Sequence, residues 1–282
     1  IGLFLTAVSL AVAAIPEGLP AVVTIALALG VQRMVKRNCI IRKLPSVETL
    51  GCTSVICSDK TGTLTKNEMT VQAVFQGGDF FDISGIGYAP TGEFLKDGKK
   101  IAPRENPGLT KLITGSVLCN GAQLIHEESA YKIVGDPTEG ALLTMAGKAG
   151  LTKKDLEASY SFIEEIPFDS ERKQMTIIRQ HNRKYIAFVK GAPDILLSNC
   201  TQSEENGQVL ALDELKKHGI LKANSELADR AMRVLAVAYR EFDELPASLD
   251  APTIEKELTF IGLVAMIDPP RPEVKLAMQN CR

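Results

Sequence analysis

Hydrophobicity along the chain falls into two regimes. From residue 1 to residue 31 nearly every position is apolar, and the only charge is Glu17. Since ~20 apolar residues suffice to cross a bilayer, this run predicts a membrane-spanning helix. It lacks the basic start and small-residue cleavage site of a signal peptide. At its centre stands Pro16-Glu17-Gly18-Leu19-Pro20. Two prolines and a glycine so close together cannot continue a regular helix, so the span is expected to unwind there and release backbone carbonyls. Beyond residue 68 the pattern changes. Short β-rich runs at 70–75, 131–134, 175–179, 185–189, 234–239 and 258–266 alternate with helical periodicity at 109–119, 138–148 and 212–232. Glycine- and polar-rich stretches at 77–79, 85–98 and 203–207 predict hairpin connections or surface loops. Between the regimes, Val55-Ile56-Cys57 is a short apolar run that reads as a buried strand.

Composition narrows the function. The 282 residues carry a net charge of −2, so no basic surface for nucleic acid is implied. Six cysteines are scattered without a C-x-x-C pair, and His126, His181 and His218 show no metal-ligand spacing. Reduced thiols and surface histidines are the expectation. Arg33, Lys36, Arg37, Arg42 and Lys43 follow the apolar span, which places that end in the cytoplasm by the positive-inside rule. The chain begins without methionine and ends in what looks like a helix started at Pro272, as expected of a piece of a longer protein.

Two stretches carry chemistry of their own. Glu17 at mid-membrane depth is costly and marks an ion path. With carbonyls freed by the prolines beside it, it makes an oxygen-rich site suited to a hard cation. The second stretch is Ser58-Asp59-Lys60-Thr61-Gly62-Thr63, directly after the expected strand. A carboxylate at a strand's C-terminal end sits where open α/β sheets place their chemistry. It can attack a phosphoryl group and carry it as an acyl phosphate. The following hydroxyls and N–H groups can hold the phosphate oxygens.

Asp59-Lys60-Thr61-Gly62-Thr63 resembles the signature of the P-type ion-pumping ATPases. In the wider haloacid-dehalogenase phosphatases the residue two after the nucleophile is usually a second Asp; Thr61 cannot act as that base, so an aspartyl phosphate would persist. Pro16–Pro20 resembles the fourth membrane helix of calcium-transporting members. The resemblance implies that the carbonyls of Val12, Ala13 and Ile15 and the carboxylate of Glu17 hold the transported cation. It implies catalytic roles for Asp59, Lys60, Thr61 and Thr63, with Asp59 and the Thr61 carbonyl helping to hold Mg²⁺. Four further stretches resemble the nucleotide-binding domain of the same pumps. They are Gly135–Leu142 with Glu139, Pro167–Met175 with Phe168 and Lys173, Phe188–Asp194 with Lys190 and Gly191, and Met232–Ala236 with Arg233 and Leu235. By the match these residues bind ATP: Glu139 accepts from the adenine amino group, Phe168 stacks on the base and Arg233 reaches the phosphates. Muscle-type calcium pumps carry Arg where this chain has Ser170, and Arg172 is the candidate to replace it.

The resemblance implies an α/β architecture in three parts. They are a transmembrane helix, a partial haloacid-dehalogenase-like parallel α/β phosphorylation domain, and an inserted α+β nucleotide-binding domain with a mainly antiparallel sheet. The expected boundaries are 1–36 for the membrane helix with its cation segment, 37–67 for the linker and first part of the phosphorylation domain, 68–267 for the nucleotide-binding domain, and 268–282 for the hinge and return. Implied partners are ATP, the transported cation, the lipid bilayer, and the other membrane helices and actuator domain of a multi-pass pump whose ATP-handling domains are cytoplasmic. Calcium is the expected ion, with manganese or sodium and potassium on the same scaffold as rivals. A soluble phosphatase and a bare nucleotide-binding module are the readings from other classes.

Overall fold

In the computed structural model, residues 2–16, 18–127, 130–205 and 207–281 are described. The chain divides between Ser58 and Asp59 into two units.

The first unit is helical: α1 (Gly2–Ala13), α2 (Leu19–Val35) and α3 (Pro45–Gly51). The apolar run is therefore two helices rather than one. Pro20 starts α2 within its first turn, where a missing N–H costs nothing. Among the described residues no helix is long and apolar enough to cross a membrane. No residue of either helix is buried, and side chains such as Leu3, Phe4, Val22 and Ile25 stand exposed. Gly30 of α2 leaves room for α3, since a Cβ there would meet Val47 at 3.1 Å. The expected strand at Val55-Ile56-Cys57 does not form: the segment is irregular, and Val55 and Ile56 are exposed. A strand needs neighbours for its N–H and C=O groups, and every pairing among the described residues lies beyond Asp59.

The second unit is built on one large sheet. Its strands are β1 (Thr70–Gln76), β2 (Asp79–Ile83), β3 (Phe94–Lys96), β4 (Lys99–Ile101), β5 (Gln123–Glu127), β6 (Ala130–Val134), β7 (Ser161–Asp169), β8 (Gln174–His181), β9 (Lys184–Gly191), β10 (Cys200–Glu205), β11 (Gln208–Ala211), β12 (Arg233–Phe242) and β13 (Leu258–Ile267). Its helices are α4 (Pro107–Leu118), α5 (Pro137–Lys148), α6 (Lys153–Ser159), α7 (Pro193–Ser198), α8 (Glu214–Asp229), α9 (Ala251–Ile254) and α10 (Val274–Asn280). The main order is β4-β3-β2-β1-β13-β12-β9-β8-β7, β10 pairs with β13 and β11, and β5-β6 form a separate hairpin. Among the described residues every pairing is antiparallel except β10 with β13. The sheet is thus mainly antiparallel, as the nucleotide-domain resemblance implies.

Both faces of the sheet are covered. Val74, Phe188, Val237, Ile261 and Val264 join Leu109, Leu112, Ile113 and Leu142 of α4 and α5 in one core. Ala73, Val189, Ala236, Phe260 and Leu263 join Leu196, Ile220 and Leu227 of α7 and α8 in another. Strands buried on both faces explain the continuous apolar run of β13. Gly262 at its middle faces the carbonyl of Phe75, which a Cβ would approach to 2.5 Å, so no larger residue fits. Gly77 and Gly78, both at positive φ, turn β1 into β2 as expected of a hairpin. The stretch at 203–207 takes in the end of β10 and its hairpin connection to β11, and that at 85–98 holds β3 and the start of its turn into β4.

Candidate functional site

Where β8 begins, β9 ends and β12 begins, three adjacent strands open beside the start of α5. The cleft there has a volume of about 590 Å³, within the range of small-molecule sites. All seven residues expected to meet a nucleotide line it: Glu139, Phe168, Lys173, Lys190, Gly191, Arg233 and Leu235. They come from positions up to almost a hundred residues apart in the chain, so only the fold gathers them.

Each is held by local structure. Asp136 caps α5, its carboxylate accepting from the N–H of Thr138 at 2.7 Å and of Glu139 at 3.4 Å. That fixes Glu139 in the first turn. One Glu139 oxygen accepts from the N–H of Gly121 at 3.0 Å, and the other pairs with the Lys190 ammonium. Lys190 is itself 8% exposed and also donates to the Cys119 carbonyl at 2.6 Å. A nearly buried ammonium with a carboxylate and a carbonyl as partners is satisfied and stiff. Burial pushes the neighbouring Cys119 thiol up to about 11. Arg233 opens β12 and donates to the Thr138 hydroxyl at 3.0 Å. Burial acts to raise the Asp136 carboxyl, but hydrogen bonds from Thr138 and the α5 N–H groups, with Arg233 nearby, bring it below its ordinary value.

Phe168, at the end of β7, is 63% exposed. An aromatic ring left this open at a cleft's edge offers a face for a planar ring to stack on. Lys173 has φ 51°, the left-handed region unusual for a lysine. Gly191, at the end of β9, closes on the backbone beside it. Its closeness is to this same turn: a Cβ there would lie 2.6 Å from the Lys173 carbonyl.

Leu235, Val234 and Met175 supply apolar wall, while Asp136, Thr138 and Glu165 add polar atoms. Asp136, Thr138 and Met175 fall inside stretches already singled out, although no role was read for them. Glu165 carried no signal, since Glu164-Glu165 looks like ordinary solvated charge. Arg172 does not line the cleft; its guanidinium pairs with Glu255.

The Asp59 segment lies apart from this lining. Asp59 caps a single turn over Lys60–Leu64, accepting from the Lys60 N–H at 2.7 Å. Inside the turn Thr61 is extended and Gly62 takes φ 77°, a conformation open to glycine. Asp59, Lys60, Thr61 and Thr63 are all exposed. Sequence reasoning missed how this turn is anchored. The Arg271 guanidinium donates to the carbonyls of Thr65 and Gly62, each at 3.1 Å. The Asp268 carboxylate accepts from the Thr65 hydroxyl and from the Glu68 N–H at 3.2 Å. Thr65 and Pro270 form an antiparallel bridge. The segment before β1 and the segment after β13 are thus bonded to each other.

Among the described residues no three His, Cys, Asp or Glu gather as a metal cluster. One carboxylate and one carbonyl, from Asp59 and Thr61, suit Mg²⁺, which keeps waters and substrate phosphates as its other ligands. In the first unit the Val12 carbonyl accepts from the Ile15 N–H at 3.1 Å, so the expected release of this carbonyl is only partial. Ala13 ends α1 and Ile15 follows it in the break. Glu17 lies outside the described residues.

Residues 108–273 match the family model described as P-type ATPase, cytoplasmic domain N. A calcium-transporting ATPase of Bacillus subtilis is 48% identical over 99% of this chain and 32% of its own length. The cation-transporting ATPase pma1 of Synechocystis is 46% identical over 99% of this chain and 31% of its own. Human calcium-transporting ATPase type 2C member 1 is 43% identical over 98% and 29%. The chain therefore spans about a third of the length of these relatives. With more than half its residues inside the family model and the cleft assembled within that stretch and its flanking sheet, the chain belongs to the P-type ATPases and carries their cytoplasmic domain N.

Proposed function

We propose that this chain binds ATP in the cleft and accepts its terminal phosphoryl group on Asp59, as the energy-coupling part of a membrane cation pump. The observation that supports this most is the gathering of an exposed ring, a buried Lys–Glu pair and Arg233 around one cavity. The ring of Phe168 would stack on adenine. Lys190 and Glu139 would line the pocket's floor, and Lys173 and Arg233 would face the phosphates.

In the transfer, a carboxylate oxygen of Asp59 forms a bond to the γ-phosphorus as the bond from that phosphorus to the β,γ-bridging oxygen breaks. The bond's electron pair leaves with ADP. The protein's work is positioning and charge neutralisation. Mg²⁺, held by the Asp59 carboxylate and the Thr61 carbonyl, would neutralise charge on the phosphates. Lys60 adds positive charge beside the acceptor, and Thr61 and Thr63 offer hydroxyls to the phosphoryl oxygens. Thr61 offers no general base, so the acyl phosphate survives long enough to be used. Since Asp59 does not line the cleft, delivery would require the bridged segments at Thr65 and Pro270 to flex.

The cation reading rests on the apolar run and its proline break. Two helices with no buried residue and mostly exposed apolar side chains suit lipid or further membrane helices around them. Val12, Ala13, Ile15 and Glu17 would supply the ion's oxygens within a multi-pass protein whose domain N faces the cytoplasm. Calcium is the first choice, because the Bacillus and human relatives are named calcium-transporting. The test is a calorimetric titration of the chain with ATP, repeated with Lys190→Ala. Saturable binding that the variant weakens about tenfold supports the site. No binding, or binding indifferent to Lys190, overturns it. An ion series on the full-length pump tests the cargo: phosphoenzyme formation indifferent to calcium would exclude calcium.

A further inference from the structure

The stretch that carries Phe168 and Lys173 into the cleft is held from outside the cleft. The β7–β8 register shifts between Ile166 and Asp169, so Pro167 and Phe168 bulge from the ladder. The turn after them is closed by Asp169. Its carboxylate accepts from the N–H groups of Glu171 and Arg172, both at 2.9 Å, and its carbonyl accepts from the Lys173 N–H at 2.7 Å. Behind the turn lies Glu255, 6% exposed, at the end of α9. Its two oxygens accept from Arg172 Nη1 at 2.5 and 2.6 Å, from Gln174 Nε2 at 2.6 Å and from the Thr176 hydroxyl at 2.7 Å. Arg172 in turn donates to the Pro167 carbonyl at 2.7 Å. One carboxylate, more than eighty residues away in sequence, thus ties both sides of the bulge.

None of Glu255, Arg172, Gln174 and Thr176 lines the cleft. Their bonds end on the backbone and strand around Phe168 and Lys173. A buried ion pair is generally no better for stability than apolar residues of the same volume. What it supplies is direction: three donor groups make four hydrogen bonds to two oxygens and fix the turn in one arrangement. Lys173, at positive φ, needs such restraint.

We propose that Glu255 is a positioning residue for the nucleotide, acting through Arg172 to aim the Phe168 ring and the Lys173 side chain. The proposal rests on reading the cleft as the ATP site. It also assigns Arg172: bound to Glu255 and Pro167, it does not replace the arginine absent at Ser170.

The test is a double-mutant cycle on the full 282-residue chain, read by calorimetric titration with ATP. Glu255→Gln keeps the shape and removes the charge, and is expected to weaken ATP binding about tenfold. In a Phe168→Ala background the same change is expected to weaken it less than about threefold, because its effect passes largely through that ring. Arg172→Met, at the half-buried end of the pair, carries both expectations should Glu255→Gln not fold. Native-like binding by Glu255→Gln, or an equal loss with and without Phe168, would overturn the proposal: the cluster would then serve stability alone. Lys190→Ala keeps the two readings apart. If the native chain binds ATP and Lys190→Ala weakens it, only the role of Glu255 is at stake; if the native chain does not bind, the nucleotide reading falls and this proposal falls with it.

Discussion

Lys190 shows what a single residue does here. Its ammonium, buried with Glu139 and the Cys119 carbonyl, fixes the floor of the cleft. Lys190→Ala should therefore do more than weaken ATP. It leaves a partly buried Glu139 without its cation, and the melting temperature should fall as well. Asp136 is a milder case. As a helix cap, its replacement by Ala should cost about 1 kcal/mol at neutral pH. Its carboxyl lies below the ordinary value of 3.8 when folded, so the cap's charged contribution is present above that pH and fades as pH falls through the lowered value. Denaturant melts of both chains should converge in acid; a gap that persists unchanged to low pH would count against the charged cap. Cysteines divide by the same physics. Burial raises Cys119 to about 11 and Cys200 to about 12, whereas Cys52, Cys57 and Cys281 are exposed. A thiol reagent at neutral pH should label the exposed three first and reach Cys119 and Cys200 only on unfolding. At this scale the cleft was legible wherever a residue sat in a recognisable stretch, as Lys190, Glu139 and Arg233 do. Arg172 was not, because its destination, Glu255, is chosen by tertiary packing and not by spacing.

Among elements, the long periodic or apolar runs declared themselves. The runs at 258–266, 234–239 and 138–148 became β13, β12 and α5, each extended by no more than a few residues. Val55-Ile56-Cys57 did not, since an apolar run becomes a strand only beside another strand. β7 was invisible for the opposite reason: Ser161, Phe162, Glu164, Glu165 and Phe168 are exposed, so no burial pattern marks it. The Asp59 turn is likewise tertiary in origin, secured by Arg271 across more than two hundred residues. Arg271→Met should speed amide exchange through 60–65 while leaving the sheet's protection unchanged. Equal exchange in both chains would mean that the Asp59 turn holds itself.

At the scale of the molecule, stability is concentrated. All buried side chains among the described residues fall at Thr65 or later, so the cores belong to the second unit alone. A chain of residues 59–282 should melt at the same temperature as the whole and bind ATP with the same affinity. A loss of either would show that the helical unit supports the cleft. The abrupt change in hydrophobic regime is legible in the chain; the strand order, with β1 beside β13, was not, since it is settled by long-range pairing.

That β1–β13 neighbourhood extends outward to Thr65 and Pro270, where the two connections of the domain run side by side. A unit tethered at one point leaves its host's path nearly undisturbed: remove it, and a short turn could rejoin the cut ends. Such a unit can be inherited as a cassette. Its length and its binding surface can change without the segments outside Thr65 and Pro270 having to refold around it.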